Sequence, residues 1–131
     1  MLLDTSGLVC CFDADDARHL AAVACYDGAA VRLTHNYVLA EFVALCQARG
    51  LPREAALSFA TEILRDPDIE VAWIDAATHE EAMRMLQNQL DKSYSLCDAV
   101  SFLVMRQRNI IDALTTDHHF VQAGFQRLLS S

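Results

Sequence analysis

Apolar residues in this chain occur in short runs separated by longer stretches with helical spacing, a pattern typical of alternating β-strands and α-helices. The short runs predict strands at residues 1–5, 31–34, 69–74 and 113–116, and an edge strand at 125–129. The helical spacing predicts helices at residues 14–26, 36–49, 52–66, 78–91, 95–109 and 118–123. This order predicts an α/β fold with a central, mostly parallel sheet flanked by helices on both faces.

Local residues set several of the predicted helix boundaries. Gly28 is expected to end the first helix, Asn36 to cap the second, and Gly50 to follow the end of the second. The helix predicted at 78–91 is amphipathic, with three apolar residues on one face: Met83, Leu86 and Leu90.

Length and composition favour one folded domain over residues 1–131, because the chain has no internal repeat and no linker rich in Pro, Gly or Ser. A hydrophobic fraction of 53% excludes a disordered chain. No apolar run approaches the ~20 residues that span a bilayer, and the N-terminus lacks a basic region. We therefore expect no membrane association and a cytoplasmic location. The five cysteines include no CxxC pair, which favours free thiols over disulfides or zinc ligands.

The net charge of −8 makes the general surface unsuited to nucleic acid, because affinity for phosphate comes largely from Lys and Arg. Nine of the ten cationic side chains are Arg, and Lys92 is the exception. Any contact with nucleic acid is therefore expected to use a local patch.

Four acidic residues interrupt or end apolar stretches: Asp4, Glu41, Asp98 and Asp117. Burying an ionised carboxylate without a partner costs several kcal/mol or shifts its pKa. A shared divalent metal ion would offset that cost for all four, and oxygen-only ligands favour Mg²⁺ or Mn²⁺. Asp4 and Asp117 end predicted parallel strands, where ligands of α/β folds gather. The pattern therefore predicts one metal-binding crevice and chemistry on phosphate.

Each acid also has a local explanation. Asp98 and Ser95 form an S-x-x-D capping box, and Asp4 fits a turn residue that caps the next helix. Asp117 fits a turn acid. Glu41 could face solvent along one helical stripe, although its apolar neighbours favour burial.

The histidines are weaker signals. His118 and His119 follow Asp117, as in the D-H-H triplet of some phosphoesterases, but adjacent residues of a short helix do not share a face. A structural or supporting role is expected for them. The spacing of the other histidines does not suggest metal ligands, and the chain has no glycine-rich phosphate loop and no G-x-S-x-G motif.

Four blocks, taken in order, resemble the PIN-domain family, and in particular VapC-type toxins of prokaryotic toxin–antitoxin pairs. The blocks are Leu2-Leu3-Asp4-Thr5-Ser6, Asn36-Tyr37-Val38-Leu39-Ala40-Glu41, the segment from Asp91 to Ala99, and Leu114 to Phe120 followed by Ala123-Gly124-Phe125. The resemblance covers nearly the whole chain. It departs from the family at Cys97, where Thr is common, and a thiol is a weaker hydrogen-bond donor than a hydroxyl.

The resemblance implies a metal-dependent endoribonuclease that uses Mg²⁺ or Mn²⁺. Asp4 and Asp98 would be the central metal ligands, Glu41 and Asp117 further catalytic ligands, and two hydroxyls would support them: Ser6 and Ser95. It also implies an RNA substrate (tRNA or rRNA), a cognate antitoxin that occupies the site, and a homodimer. The alternatives are a catalytically weak interaction module of the same fold, a metal-dependent phosphatase and a DNA nuclease.

Overall fold

The computed structural model describes residues 1–130, and its centre is a five-stranded sheet with strand order β3-β2-β1-β4-β5. The strands are β1 (Leu2–Leu3), β2 (Arg32–His35), β3 (Ile69–Ala72), β4 (Asp112–Leu114) and β5 (Gln126–Arg127). The helices are α1 (Thr5–Phe12), α2 (His19–Gly28), α3 (Asn36–Ala48), α4 (Arg53–Arg65), α5 (Ala76–Gln87), α6 (Leu96–Arg108) and α7 (His119–Gln122). Every strand pairing is parallel, which confirms the predicted fold class.

Helices cover both faces of the sheet, because successive strand residues point to opposite sides. Leu3 belongs to the apolar cluster that packs with α1 to α4. Leu2 belongs to the cluster on the other face, which α5 and α6 cover around Phe102. Within residues 1–130, no helix is long and apolar enough to cross a membrane.

The strand order reverses direction at β1. The chain moves from β1 to β2 and β3 on one side, then crosses to β4 and β5 on the other. Leu3 pairs with Leu114, so the residues that follow β1 and β4 emerge side by side at the carboxyl edge of the sheet. Such a reversal opens a crevice at that edge, and here Asp4 lies in it.

The strand predicted at residues 1–5 was too long, and helix α1 was not predicted. Most residues of α1 are weak helix formers, including Thr5, Ser6, Gly7 and the β-branched and aromatic residues that follow. The helix depends on a close tertiary contact. A Cβ built at Gly7 would lie 2.6 Å from the carbonyl carbon of Leu114 and closer still to its oxygen. Only glycine allows α1 to approach β4 so closely, and this contact places Asp4, Thr5 and Ser6 beside the end of β4.

Three further predictions were wrong in detail. Helix α2 begins at His19 rather than residue 14. His35, not Asn36, caps α3, and its Nδ1 accepts the N–H of Val38, whereas Asn36 Oδ1 accepts the N–H of Ile74 from the loop after β3. Leu90 lies beyond the end of α5 and is 85% exposed. The prediction of one domain over residues 1–131 includes Ser131, which lies outside the described residues.

Candidate active site

All four predicted acids line one crevice of about 280 Å³ at the carboxyl edge of the sheet. Ser6 and Ser95, the two predicted supporting hydroxyls, line it as well. Within residues 1–130, no Lys or Arg side chain contributes to its walls. Four carboxylates therefore share one cavity without a cationic side chain to offset their charge.

Asp4 is the most deeply buried of the four acids, with 5% of its surface exposed. It precedes the first residue of α1, but its side chain makes no capping hydrogen bond. The pKa of Asp4 is raised from 3.8 to about 7, mainly by burial and to a smaller extent by the charges of Asp98 and Glu41, while hydrogen bonds from Thr115 and Thr5 act in the opposite direction. Asp4 thus lies where ionisation of its carboxyl group is energetically unfavourable.

Thr115 fixes the carboxylate of Asp4, a role that the sequence analysis did not assign. Its buried hydroxyl donates to Asp4 Oδ2 at 2.7 Å. Because the Thr115 hydroxyl has only one proton, its oxygen can only accept in its other contacts. Ser6 O–H therefore donates to Thr115 Oγ1 at 3.1 Å, and the N–H of Asp117 donates to the same oxygen. Ser6 Oγ in turn accepts the N–H of Thr116. Each hydrogen bond in this network has a defined donor and acceptor, which holds the Asp4 carboxylate in one orientation. Ser6 supports Asp4 through Thr115 rather than by direct contact.

Asp98 is held from two sides. The capping box with Ser95 forms as predicted: Asp98 N–H donates to Ser95 Oγ, and Ser95 N–H donates to Asp98 Oδ2. His119 Nδ1 lies 3.0 Å from the same oxygen. Oδ1 has no donor within residues 1–130. Burial, followed by the charge of Asp117, raises the pKa of Asp98. Asp98 therefore both caps α6 and lines the crevice, so its local explanation does not exclude the predicted role at the site.

His119 connects two of the acids. Its Nδ1 lies 3.0 Å from Asp98 and 3.2 Å from Asp117 Oδ1, and its Nε2 lies 3.0 Å from Ser93 Oγ. Because carboxylates only accept, a hydrogen bond between Nδ1 and these acids requires the proton on Nδ1. This agrees with a supporting role, but the contact with Asp98 could not be foreseen from the D-H-H triplet. Ligand atoms of Asp117, His118 and His119 lie within 4.8 Å of one another, although the His118 side chain is 65% exposed.

The expectation that Glu41 is buried was wrong. Helix α3 packs Val38 and Phe42 against the sheet, which turns Glu41 to the rim of the crevice, where it is exposed. Leu45, one turn further along α3, lines the same crevice. Cys97 lies close by, and burial together with the charges of Glu41 and Asp4 raises the pKa of its thiol strongly. The thiol therefore stays protonated, as a weak donor next to the acids.

The crevice residues fit a divalent metal ion. Asp4 and Asp98 are carboxylates whose ionisation is opposed by burial, and Thr5 Oγ1, in the same wall, is a buried hydroxyl without a hydrogen-bond partner in residues 1–130. A hydrated cation would stabilise the charges and satisfy the free hydroxyl. The carboxylates and the hydroxyl named here are oxygen donors, which Mg²⁺ and Mn²⁺ prefer.

Mg²⁺ should stabilise the protein more at pH 8 than at pH 6. Asp4 must lose its proton to bind a cation, and its pKa is about 7. The apparent Mg²⁺ affinity is therefore expected to fall about tenfold between pH 8 and pH 6. Thermal melting across a Mg²⁺ titration at both pH values measures this. The Asp4→Asn variant should lose the pH-dependent part, and equal affinities at the two pH values in the unmodified protein would contradict the assignment.

The chain is similar to known proteins over almost its whole length. The PIN domain family matches residues 1–126. VapC20 of Mycobacterium tuberculosis, described as a 23S rRNA-specific endonuclease, is 32% identical over 126 residues, which is 95% of both chains. Ribonuclease VapC26 of the same species is 32% identical over 123 residues, which is 92% of this chain and 89% of that protein. The crystal structure of VapC20, described as a toxin that cleaves the sarcin–ricin loop, superposes with a TM-score of 0.86 at 33% identity, over 95% of both chains.

The chain therefore belongs to the PIN-domain family. Its similarity to the two VapC ribonucleases runs over almost its full length, and the family match over residues 1–126 includes the segments that carry the four acids.

Proposed function

We propose that the protein is a metal-dependent endoribonuclease and the toxin of a toxin–antitoxin pair. The observation that carries the proposal is the crevice at the carboxyl edge of the sheet, in which four carboxylates meet without a cationic side chain in its described walls. Hydrolysis of a phosphodiester builds negative charge on the phosphate, and these walls contain no Lys or Arg to offset it. A divalent cation held by the carboxylates would offset this charge. The related proteins are named as an rRNA-specific endonuclease and a ribonuclease.

Asp4 and Asp98 are proposed as the central ligands, and Glu41 and Asp117 as further ligands or holders of water. When bound, Mg²⁺ or Mn²⁺ would lower the pKa of a water molecule and offset charge that develops on the phosphate. The protein's own contribution is orientation: Thr115 directs Asp4, and Ser95 with His119 directs Asp98. No histidine base is needed, and the ribose 2′-OH need not take part.

For the substrate we propose ribosomal RNA, with 23S rRNA the first molecule to test, since VapC20 is described as specific for it; tRNA remains the second candidate. A cognate antitoxin that covers the crevice is also proposed. A basic segment of such a partner would suit a protein with a net charge of −8. The homodimer stays a prediction, which the mass measured by light scattering would test.

The test is cleavage of total tRNA and rRNA by the purified protein without its partner, in Mg²⁺ or Mn²⁺, in EDTA, and with Asp4→Asn in parallel. Discrete fragments that require both the metal and Asp4 are expected. Their ends, once sequenced, identify the target. A folded protein that binds Mn²⁺ but cuts neither RNA would favour a phosphatase or DNA nuclease, and one that binds no Mn²⁺ would favour an interaction module.

Replacing Thr115 by Val should reduce cleavage about 10- to 100-fold, as expected for loss of a residue that orients a metal ligand. Val is close in shape but leaves Asp4 Oδ2 without its donor and the N–H of Asp117 without its acceptor. We also expect the metal-free protein to lose about 1–3 kcal/mol of stability. Cleavage rates and urea unfolding measure the two effects.

The matched control is Thr115→Ser, which keeps the hydroxyl and should retain most of the activity. A second comparison is Thr5→Val, which removes a buried hydroxyl that has no partner within residues 1–130 and should not lower metal-free stability. Equal activity of Thr115→Val and Thr115→Ser would show that the hydroxyl does not position Asp4.

A further inference from the structure

A second cavity, of about 190 Å³, lies next to the acidic crevice and has the opposite charge. Lys92 and Arg106 line it, and in the described part of the chain no Asp or Glu does. Because the whole chain carries a net charge of −8, two cations in a cavity without an acid mark a local site for an anion. We refer to it as the basic cavity.

The basic cavity and the acidic crevice share a wall. In the loop before α6, Ser93 and Ser95 line the crevice, whereas Lys92 and Tyr94 line the basic cavity. The Tyr94 ring meets the ring of His119 edge to face, with centroids 5.4 Å apart, and His119 belongs to the crevice. The Tyr94–His119 pair therefore lies between the two sites, with Tyr94 in the wall of the basic cavity and His119 in the wall of the crevice.

Helix α6 connects the two sites along one face. Asp98 lines the crevice, and Phe102 and Arg106, four and eight residues later, line the basic cavity. Eight residues of helix correspond to about 12 Å. Phe102 is almost fully buried and packs against Tyr94, so it forms a packed base beneath the basic cavity.

Both cations can accept a new partner. Lys92 Nζ lies 3.7 Å from Asp91, but the Asp91 side chain is 75% exposed and does not line the cavity, so this pair is weak. Arg106 stacks its guanidinium over the ring of Phe125, with 5.6 Å between the guanidinium carbon and the ring centroid. Stacking uses the flat face of the guanidinium and leaves the N–H edges free for a phosphate.

We propose that the basic cavity binds a phosphate of the RNA strand close to the cleaved bond, through Lys92 and Arg106. Gln89 and Gln122, which also line the cavity, would hydrogen-bond the sugar or base of that nucleotide. The acids of the crevice repel a phosphate backbone, and the basic cavity offsets that repulsion at the point where the strand leaves the crevice. This proposal rests on the proposed ribonuclease function, because it assigns the strand that passes through the same crevice.

The test compares two double variants that remove the same charge. Lys92→Gln with Arg106→Gln removes the cations of the basic cavity. Arg49→Gln with Arg65→Gln is the control, since both arginines are exposed and line neither the crevice nor the basic cavity. In the Asp4→Asn background, binding of a fluorescent mixed-sequence RNA dodecamer is measured between 50 and 300 mM salt, roughly the range over which phosphate contacts dominate. In the active background, KM and kcat are measured on the RNA that the unmodified protein cuts.

The cavity variant is expected to lose about 0.7 from the slope of log affinity against log salt, since the cavity is proposed to bind one phosphate and each phosphate contact to a single strand contributes about 0.7. Its KM should rise roughly tenfold with kcat little changed. The control should keep both values, and Lys92→Arg with Arg106→Lys should restore the slope, which a merely structural role would not predict.

A slope and KM equal to those of the control would overturn the assignment of the cavity and leave the ribonuclease function intact. If no variant cuts RNA but the slope still depends on Lys92 and Arg106, the cavity binds phosphate and the ribonuclease function fails instead. Absence of both cleavage and RNA binding in the unmodified protein would overturn both. Weaker binding of the antitoxin, with an unchanged RNA slope, would also overturn the RNA assignment in favour of a protein partner.

Discussion

Replacing Asp4 by Asn is expected to reduce RNA cleavage by at least about 10³-fold, comparable to the loss of a main electrostatic stabiliser of a transition state. Asn has nearly the same shape and can still accept the hydrogen bond from Thr115, but it carries no charge with which to bind a cation. Discrete RNA fragments, quantified over time in Mg²⁺ and Mn²⁺, measure the effect.

The same substitution should make the metal-free protein more stable at neutral pH. Burial raises the pKa of Asp4 to about 7, so the folded state holds the proton more tightly than the unfolded chain does. The contribution of Asp4 to stability is therefore complete below about pH 4 and is lost as the pH rises toward about 7. Above that pH the metal-free Asp4→Asn protein should melt about 3 °C or more higher than the unmodified protein.

Asp68→Asn is a suitable control, since Asp68 is exposed and lies outside the crevice. It should leave cleavage unchanged and show no such pH-dependent gain. A clear fall in the metal-free melting temperature of Asp4→Asn at pH 8 would contradict a site in which the carboxylate is held at a cost.

Replacing Gly7 by Ala is expected to destabilise the protein by about 3 kcal/mol or more, because the added methyl group would overlap the main chain of Leu114 in β4. Helix propensity alone predicts the opposite, a gain of about 1 kcal/mol for Ala in a helix. The clash decides the sign, since a backbone carbonyl cannot move aside as a flexible side chain can. Urea unfolding gives the change in free energy, and we expect the melting temperature to fall by about 10 °C.

Gly28→Ala provides the matched control. Gly28 is also helical, but a Cβ there would meet nothing within 4 Å, so the variant should keep or slightly raise stability. Gly7→Ala should also lower cleavage in whatever fraction of the protein stays folded, because α1 carries Thr5 and Ser6 and begins directly after Asp4. If Gly7→Ala were as stable as Gly28→Ala, close packing of α1 on β4 would not be what positions Asp4.

Much of the fold could be predicted from the sequence, because periodicity is a local property. Helix α6 was predicted within one residue at each end from the apolar run and the capping box of Ser95 with Asp98. Helix α1 was missed because its residues are weak helix formers and its stability comes from the packing of Gly7 against Leu114, which no local pattern reveals.

The candidate site likewise has residues that the sequence predicts and residues that only the folded structure reveals. Asp4, Glu41, Asp98 and Asp117 stand out in the sequence because each is a charge in or at the end of an apolar stretch, and the structure brings all four to one crevice. The exposure of Glu41 was not predictable from its neighbours, since the turn of α3 that faces the sheet depends on how that helix packs. The residues that orient the acids, Thr115 and His119, had no comparable signal.

By itself, therefore, the sequence determined the fold class, the order of the elements other than α1, and the four acids of the crevice, all of which follow from spacing and residue type. Only the tertiary structure decided which groups support those acids. Thr115 and Asp4 are 111 positions apart, and His119 and Asp98 are 21 apart. Contacts of this kind arise because parallel strands and their following helices converge at one edge of the sheet, and that convergence is a property of the folded chain.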